Sequence, residues 1–460
     1  MSADVTARGQ RRTGGRPWPG GSGTSAGAAP RVPERAGDRF GTASRFLLLV
    51  CAATGVTSLL AAREDATGDA PVTGTALLAS QGLLAVVLVG AAFVWARRGP
   101  RPPLSRSLRA LALGGLAFAA GPAVAAVAAG HGGLRWNLAL PVILFGVFLA
   151  LPRPPLPELL RALRLALRCC MWTGLAALVV APAWAAPALH HGAPAGRDYL
   201  GLGLHQFTGL ATNPNQLAPL AAAALLVELV PVGRRGLWQP HALAAAASLL
   251  LTQSRMGWGC AAAVLLLDGT WNRTRARRAF CATLAAALGT AVALVPATQN
   301  MVARSLATGT GDLADARALA WRLAYEEFQR NPLFGYGPTL FGPAYRERVF
   351  GTADTWIGQA HNQVLSTLGD SGLIGLAGLL ALFGTLALRA ARTRAASAGL
   401  SWALLVVLGT ACLTESPLRN LGGLSPQILV ALTVWLVVTS PSTLRPHSTD
   451  MPDSPATLRP

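Results

Sequence analysis

Long apolar runs with at most a single charged side chain recur along this chain, and they limit its fold more than any other feature. They lie near residues 45–62, 73–96, 108–129, 136–151, 168–189, 214–231, 237–252, 256–270, 279–296, 362–388, 397–413 and 424–440. A helix needs about 20 mostly apolar residues to cross a bilayer. A spanning segment must also satisfy its backbone polar groups internally, which favours helices. The pattern predicts an all-α, polytopic integral membrane protein of about twelve transmembrane helices. The runs at 237–252 and 256–270 are short and nearly continuous, which fits a tight helical hairpin or something less regular.

Only 13% of the residues are charged, against about 25% in ordinary soluble domains, and the charge is segregated between the runs. All 39 basic residues are arginine, giving a net charge of +19. Such a charge would suit nucleic acid, but here the arginines cluster in short connections, as the positive-inside rule demands, so no nucleic-acid partner is expected. With the N-terminus in the cytoplasm, the cytoplasmic connections hold Arg97 to Arg109, Arg153 to Arg168, Arg234 and Arg235, Arg273 to Arg278, and Arg389 to Arg394. The first external loop carries Glu64, Asp65 and Asp69 with Arg63 alone. Residues 1–44 read as a disordered basic tail and 441–460 as a second tail, both cytoplasmic; 45–440 form the transmembrane domain. The six cysteines lie in or beside apolar runs without metal-ligand spacing, and read as small packing residues.

This orientation leaves 190–213, the turn at 253–255, a long loop at 297–361 between spans 9 and 10, and 414–423 outside in the later part of the chain. Within the loop, Asp312 to Arg330 carries Leu313, Leu319, Trp321, Leu323 and Phe328 at roughly helical spacing and stops at Asn331-Pro332. It predicts an amphipathic helix at the outer membrane surface, packed on the bundle or the lipid interface.

Ionisable groups at or near membrane depth are costly and so mark candidate sites. Arg255 follows Thr252-Gln253-Ser254 in a turn; it suits either an interfacial arginine reaching lipid headgroups or a guanidinium gripping a phosphate or pyrophosphate. Arg317 stands on the amphipathic helix, where a polar-face arginine needs no special purpose, and Trp321 follows four residues on. His361-Asn362 opens the tenth span, Asn213-Pro214-Asn215 the sixth, and Glu415 closes the eleventh. A histidine at a helix start is an ordinary interface residue, but a base beside two arginines suits displacement of an anionic leaving group. His190, His191 and His205 share the external side, so position alone does not single out His361. Asp370 lies nine residues beyond His361, on the opposite helix face at about 100° per residue, which opposes a His–Asp pair unless the helix breaks.

At these residues the chain resembles the O-antigen ligase/polymerase superfamily. The matching pieces are Gly209-Leu-Ala-Thr-Asn-Pro-Asn-Gln-Leu-Ala218, Leu251-Thr-Gln-Ser-Arg255, Arg317-Ala-Leu-Ala-Trp321, Asn331-Pro-Leu-Phe-Gly-Tyr-Gly-Pro338, Ala360-His-Asn-Gln-Val-Leu365 and Gly372-Leu-Ile-Gly375. Their order, spacing and external position carry the resemblance, from about residue 200 to 385. Two positions depart from the family's habit: Met256 precedes Gly257 after the Ser-Arg pair, and Asp370 stands where a glutamate is commoner.

The resemblance implies that Arg255 and Arg317 bind the diphosphate of a polyprenyl (undecaprenyl) diphosphate-linked glycan donor and that His361 acts on the acceptor hydroxyl. Asn213, Asn215, Ser254, Trp321 and Asn362 would support them. The implied activity is metal-independent and cofactor-free glycan transfer or polymerisation at the outer face of the cytoplasmic membrane, onto a glycan, lipid or protein acceptor. Two rivals share the hydropathy: a transporter or flippase of lipid-linked saccharide, and a non-catalytic subunit of an envelope assembly complex. Against the transporter, the chain shows no two-fold repeat of its halves and no long central cytoplasmic loop.

Overall fold

The computed structural model describes residues 105–130, 155–187, 189–190, 193–194, 205–211, 213–230, 240–269, 313–351, 358–419 and 426–440, with a few isolated positions between 45 and 90. The regular structure among these residues is helical apart from a two-residue ladder pairing β1 (Leu189–His190) with β2 (Ala193–Pro194). The apolar runs become α1 (Arg106–Ala128), α2 (Leu156–Val180), α4 (Pro214–Leu229), α5 (Pro240–Leu251), α6 (Arg255–Gly269), α9 (Gln363–Thr393), α10 (Leu400–Thr414) and α11 (Pro426–Thr439). A short α3 (Pro182–Ala185) follows α2, and α7 (Leu313–Arg330) and α8 (Pro343–Phe350) belong to the long loop. Three of these, α1, α2 and α9, are long and apolar enough to cross a membrane, and shorter apolar helices pack among them. The protein is therefore a helical membrane protein. The expected spans at 136–151 and 279–296, most of 45–62 and 73–96, and both tails lie outside the described residues.

The two runs at 237–252 and 256–270 form two helices, α5 and α6, turned at Thr252-Gln253-Ser254; they take the less regular of the two expected forms, meeting near the turn and packing mainly on other helices, α4 among them. The fifth run needs correction. Its helix starts at Leu156, so Arg161, Arg164 and Arg168 sit on α2 rather than in a connection. Burial of Arg164 explains the shift: its guanidinium donates to the carbonyls of Val227 (3.0 and 3.2 Å) and Val230 at the end of α4. Terminal carbonyls of a helix have no partner within it, so an arginine from a neighbour can cap them. Arg168 grips Glu228 of α4 with two bonds of 2.6 and 2.8 Å beside it.

Every long helix runs between two chemically distinct ends. At one end stand Arg164 and Arg168, the end of α4, and Arg389 of α9, which donates to Ser107 at the start of α1 (3.0 Å) and to Val438 at the end of α11 (3.1 Å). The start of α10 joins them through Ser401, bonded to the Ala390 carbonyl at 3.0 Å. At the other end meet the starts of α4, α6 and α9 and the ends of α2, α5 and α10.

Helix α9 does not run straight beside α10. Ser366 bonds Ser416 at 2.7 Å and Ala390 bonds Ser401, so the same two levels are joined by residues 366–390 of α9 but only 401–416 of the other segment. At about 1.5 Å per helical residue the α9 path is roughly 13 Å longer. The surplus is taken up by a break at Gly372 (φ 58°, ψ −152°), a backbone conformation almost confined to glycine.

The long loop docks into that break. Tyr336 N–H donates to the Gly369 carbonyl (2.8 Å), Gly337 N–H to Asp370 (3.1 Å), and Leu373 N–H to the Pro332 carbonyl (2.8 Å). The backbones approach so closely that a β-carbon on Gly372 would lie 2.4 Å from Leu333, and one on Gly335 2.4 Å from the Gly369 oxygen. The Asn331–Pro338 and Gly372–Gly375 motifs are thus two halves of one backbone joint.

As expected, α7 is amphipathic. Its inner stripe is Ala320, Leu323, Ala324 and Glu327, packed with Tyr336, Leu340, Phe341 and Tyr345 into a separate small core. The expected stripe differs at Trp321, which is 41% exposed on the other side of the helix. In this core Arg348 lies over the rings of Tyr336 and Tyr345, 4.9 and 5.1 Å from their centroids. Burial, and then the Glu327 carboxylate beside it, push the Tyr345 phenol up, so it stays protonated.

Candidate active site

The end of the bundle under this loop gathers the polar residues singled out in sequence. Asn213 caps α4, its side-chain oxygen accepting from Asn215 N–H at 2.8 Å. Pro214 at the first helical position needs no donor there. The cap presents Asn215 to the α5–α6 turn, where the Ser254 hydroxyl donates to Asn215 Oδ1 at 2.9 Å. That bond leaves the Asn215 amide nitrogen as a donor toward Glu415, 3.1 Å from Oε1.

Glu415 is the centre of the site. It is 3% exposed and ends α10 in extended backbone. Its Oε1 accepts from Asn215 and from Arg317 Nη2 (3.3 Å). Its Oε2 accepts from Gln359 Nε2 (3.1 Å) and lies 2.8 Å from His361 Nδ1. Four donors from three separate segments therefore surround one carboxylate, which is how a buried charge is normally compensated. A carboxylate facing an arginine is an acceptor only, so His361 Nδ1 carries the proton it shares with Glu415. The second ring nitrogen, Nε2, is then the unprotonated one in the neutral imidazole and is the atom able to accept a proton.

His361 itself has φ +49°, in the left-handed region that non-glycine residues rarely occupy. Contacts on both sides hold it there. Trp321 Nε1 donates to the carbonyl of Ala360, immediately before it, at 2.7 Å. Asn362, immediately after it, caps α9 by accepting from Val364 and Leu365 N–H (2.9 and 3.1 Å) and donates to the Leu413 carbonyl at 3.0 Å. An unfavourable backbone held from two sides is a common mark of a functional residue.

Arg317 comes from α7, 40% exposed, so only part of its guanidinium is occupied by Glu415. Arg255 begins α6 between two residues that touch the cluster: Ser254 bonds Asn215, and Met256 meets the Thr414 hydroxyl beside Glu415. A small cleft beneath Glu415 is lined by Asn215, Pro219, Leu408, Ala411, Pro417 and Val430. The structure thus brings Asn213, Asn215, Ser254, Arg317, Trp321, His361 and Asn362 into one bonded network, with Arg255 at its edge.

Asp370 has a different partner. As expected from its helix face it does not join His361; it binds Arg419 Nε at 2.8 Å. Arg419 also donates to the carbonyls of Gly358 (2.9 Å) and Leu340, lashing the loop to the bundle. Sequence reasoning noted Glu415 as an external acid without seeing its role, and passed over Gln359 and Arg419. The available signal was a glutamate closing the otherwise uncharged run 400–414. Among the described residues no group of three or more His, Cys, Asp and Glu side chains is arranged to hold a metal ion.

Residues 241–380 match the family model described as O-Antigen ligase. This segment belongs to the O-antigen ligase superfamily. No curated protein matches the chain. The ligase-family segment contains Arg255, Arg317, Trp321, His361, Asn362 and the glycine joint, whereas Asn213, Asn215 and Glu415 reach the site from outside it.

Proposed function

We propose that the protein transfers a glycan from a polyprenyl diphosphate donor to an acceptor hydroxyl at the outer face of the cytoplasmic membrane. The observation that carries this reading is the Glu415–His361 contact of 2.8 Å with Arg317 on the other carboxylate oxygen, in a chain with an O-antigen ligase segment. His361 Nε2 takes the proton of the acceptor hydroxyl, whose oxygen attacks the anomeric carbon of the donor sugar. The bond from that carbon to the diphosphate oxygen breaks, and polyprenyl diphosphate leaves with the electron pair. Arg255 and Arg317 meet the growing negative charge, as fixed guanidinium groups do for anionic leaving groups. Asn213, Asn215, Ser254 and Gln359 keep Glu415 in place, and Trp321 and Asn362 keep His361 in place. The acidic side chain at this centre is already committed to four protein donors, which supports a reaction without a divalent cation.

The test uses purified protein in vesicles with a polyprenyl-diphosphate glycan and candidate acceptors. A new glycosidic bond should form with release of polyprenyl diphosphate, and should persist in excess chelator. His361→Ala should lower turnover by about 10²–10⁴ with donor binding kept, the usual scale for a lost acid–base group. Arg255→Ala should weaken donor binding about ten- to a hundred-fold, the loss of a hydrogen bond to a charged group. Movement of the lipid-linked saccharide across the vesicle without bond formation would overturn the reading in favour of transport.

A further inference from the structure

Glu415 is shared. One oxygen serves Arg317 and the other serves His361, so the two residues face each other across a single carboxylate. The two contacts are unequal. His361 is at 2.8 Å and 19% exposed, whereas Arg317 is at 3.3 Å through one nitrogen and 40% exposed. A single-nitrogen contact uses one prong of a guanidinium fork, and a diphosphate offers the guanidinium a two-pronged one.

We infer that Arg317 has a second role besides gripping the donor: in the free protein it offsets the charge of Glu415 at His361, and the donor's diphosphate removes that offset by drawing Arg317 away. The inference rests on the transfer reading above. Arg317 thereby acts as a positioning residue on the base. With the donor absent, the carboxylate and the guanidinium oppose each other at the imidazole. Donor binding turns Arg317 outward and brings in negative charge, so Glu415 acts on Nδ1–H unopposed. A carboxylate beside an imidazole favours the protonated ring. The base strengthens when the acceptor hydroxyl must give up its proton, and stays weaker when no donor is present to be attacked.

The other charged groups near His361 do not undo this. Arg255, at the start of α6, is assigned to the donor diphosphate by the same reading. Asp370 and Arg419 neutralise one another at 2.8 Å, and Arg419 reaches the His361 segment only through the Gly358 carbonyl. Gln359, on the same segment, is uncharged and stays on Oε2.

The experiment measures the titration of His361 in the full-length protein, without turnover. Diethyl pyrocarbonate modifies neutral imidazole, and mass spectrometry of the peptide carrying His361 gives its rate against pH. Arg317→Gln should raise the midpoint by about half a unit to one unit with no ligand present, the scale of one neighbouring charge. Arg317→Lys, which keeps the charge, should leave it near the wild-type value and controls for misfolding. Inorganic pyrophosphate should raise the wild-type midpoint, and raise that of Arg317→Gln by less. A midpoint that Arg317→Gln leaves unmoved, or that bound pyrophosphate leaves unmoved in the wild type, overturns the inference. Failure of pyrophosphate to bind in calorimetry is a different result, bringing down the diphosphate reading itself.

Discussion

His361 is held in a backbone state it would not choose, and the residue doing most visibly what its chemistry allows is Trp321. Its ring is half exposed, as an interfacial aromatic would be, yet its N–H is spent on the one carbonyl that precedes His361. Phenylalanine at 321 would keep most of the ring and lose that donor. A neutral hydrogen bond contributes about 0.5–1.5 kcal/mol, which is roughly a 2- to 13-fold effect if it is felt only in the positioning of the base. Trp321→Phe should therefore lower turnover by about that factor while donor affinity stays within two-fold of wild type, as read by equilibrium binding beside initial rates. An equal loss in donor binding would mean that the indole touches the donor instead. Much of this residue-level picture was legible beforehand: Arg255, Arg317 and His361 were marked by their cost near a membrane, and the resemblance added Asn215 and Ser254 as supporting residues. Glu415 was harder to read, because nothing in a linear sequence says that a glutamate 54 positions beyond His361, at the end of another helix, shares its proton.

At the scale of elements, motifs that look like part of a site turn out to be a joint. Asn331–Pro338 and Gly372–Gly375 exchange backbone hydrogen bonds across the break in α9, and their glycines are there because no side chain fits. The sequence showed the break only as a Gly-rich patch in an apolar run, since the conformation of Gly372 depends on a loop about 40 residues earlier in the chain. The amphipathic α7 was legible from its period, but its buried face was not. Ala320 and Ala324 line it, and alanine carries little weight in a hydrophobic pattern. The joint makes a paired prediction within one helix. Gly372→Ala places a β-carbon 2.4 Å from Leu333 at φ 58°, a clash and a backbone strain together, and should destabilise by about 3 kcal/mol or more. Gly384→Ala, with nothing within 4 Å of the added carbon, should be neutral or slightly stabilising. Thermal unfolding of both variants in detergent, followed by the fraction that remains monodisperse, checks the contrast. Equal behaviour of the two would mean that the joint does not hold α9.

The described part of the molecule has two ends that differ in how they carry charge, and this difference makes a prediction about direction in the membrane. Among the described residues the far end holds Arg106, Arg109, Arg161, Arg164, Arg168, Arg389, Arg392 and Arg394, with Glu158 and Glu228 as the acids. The site end holds arginines too, on α7, α8 and the segments around them, but there they are interleaved with Glu326, Glu327, Asp370 and Glu415 in ion pairs. The positive-inside rule counts short connections close to span ends, and long loops cross largely regardless of charge. The arginine-rich end with its short connections should therefore stay in the cytoplasm, while the α7–α8 layer crosses with the site. Ala344 on α8 and Ala395 after α9 are exposed positions at opposite ends, so they report this directly. In a background lacking the native cysteines, Ala344→Cys should react with a membrane-impermeant maleimide in intact cells. Ala395→Cys should react only after permeabilisation. The reverse pattern would put Glu415 and His361 on the cytoplasmic side, where a glycan donor presented at the outer face could not reach them. The labelling thus decides whether the chemistry assigned to these residues meets its substrate at all.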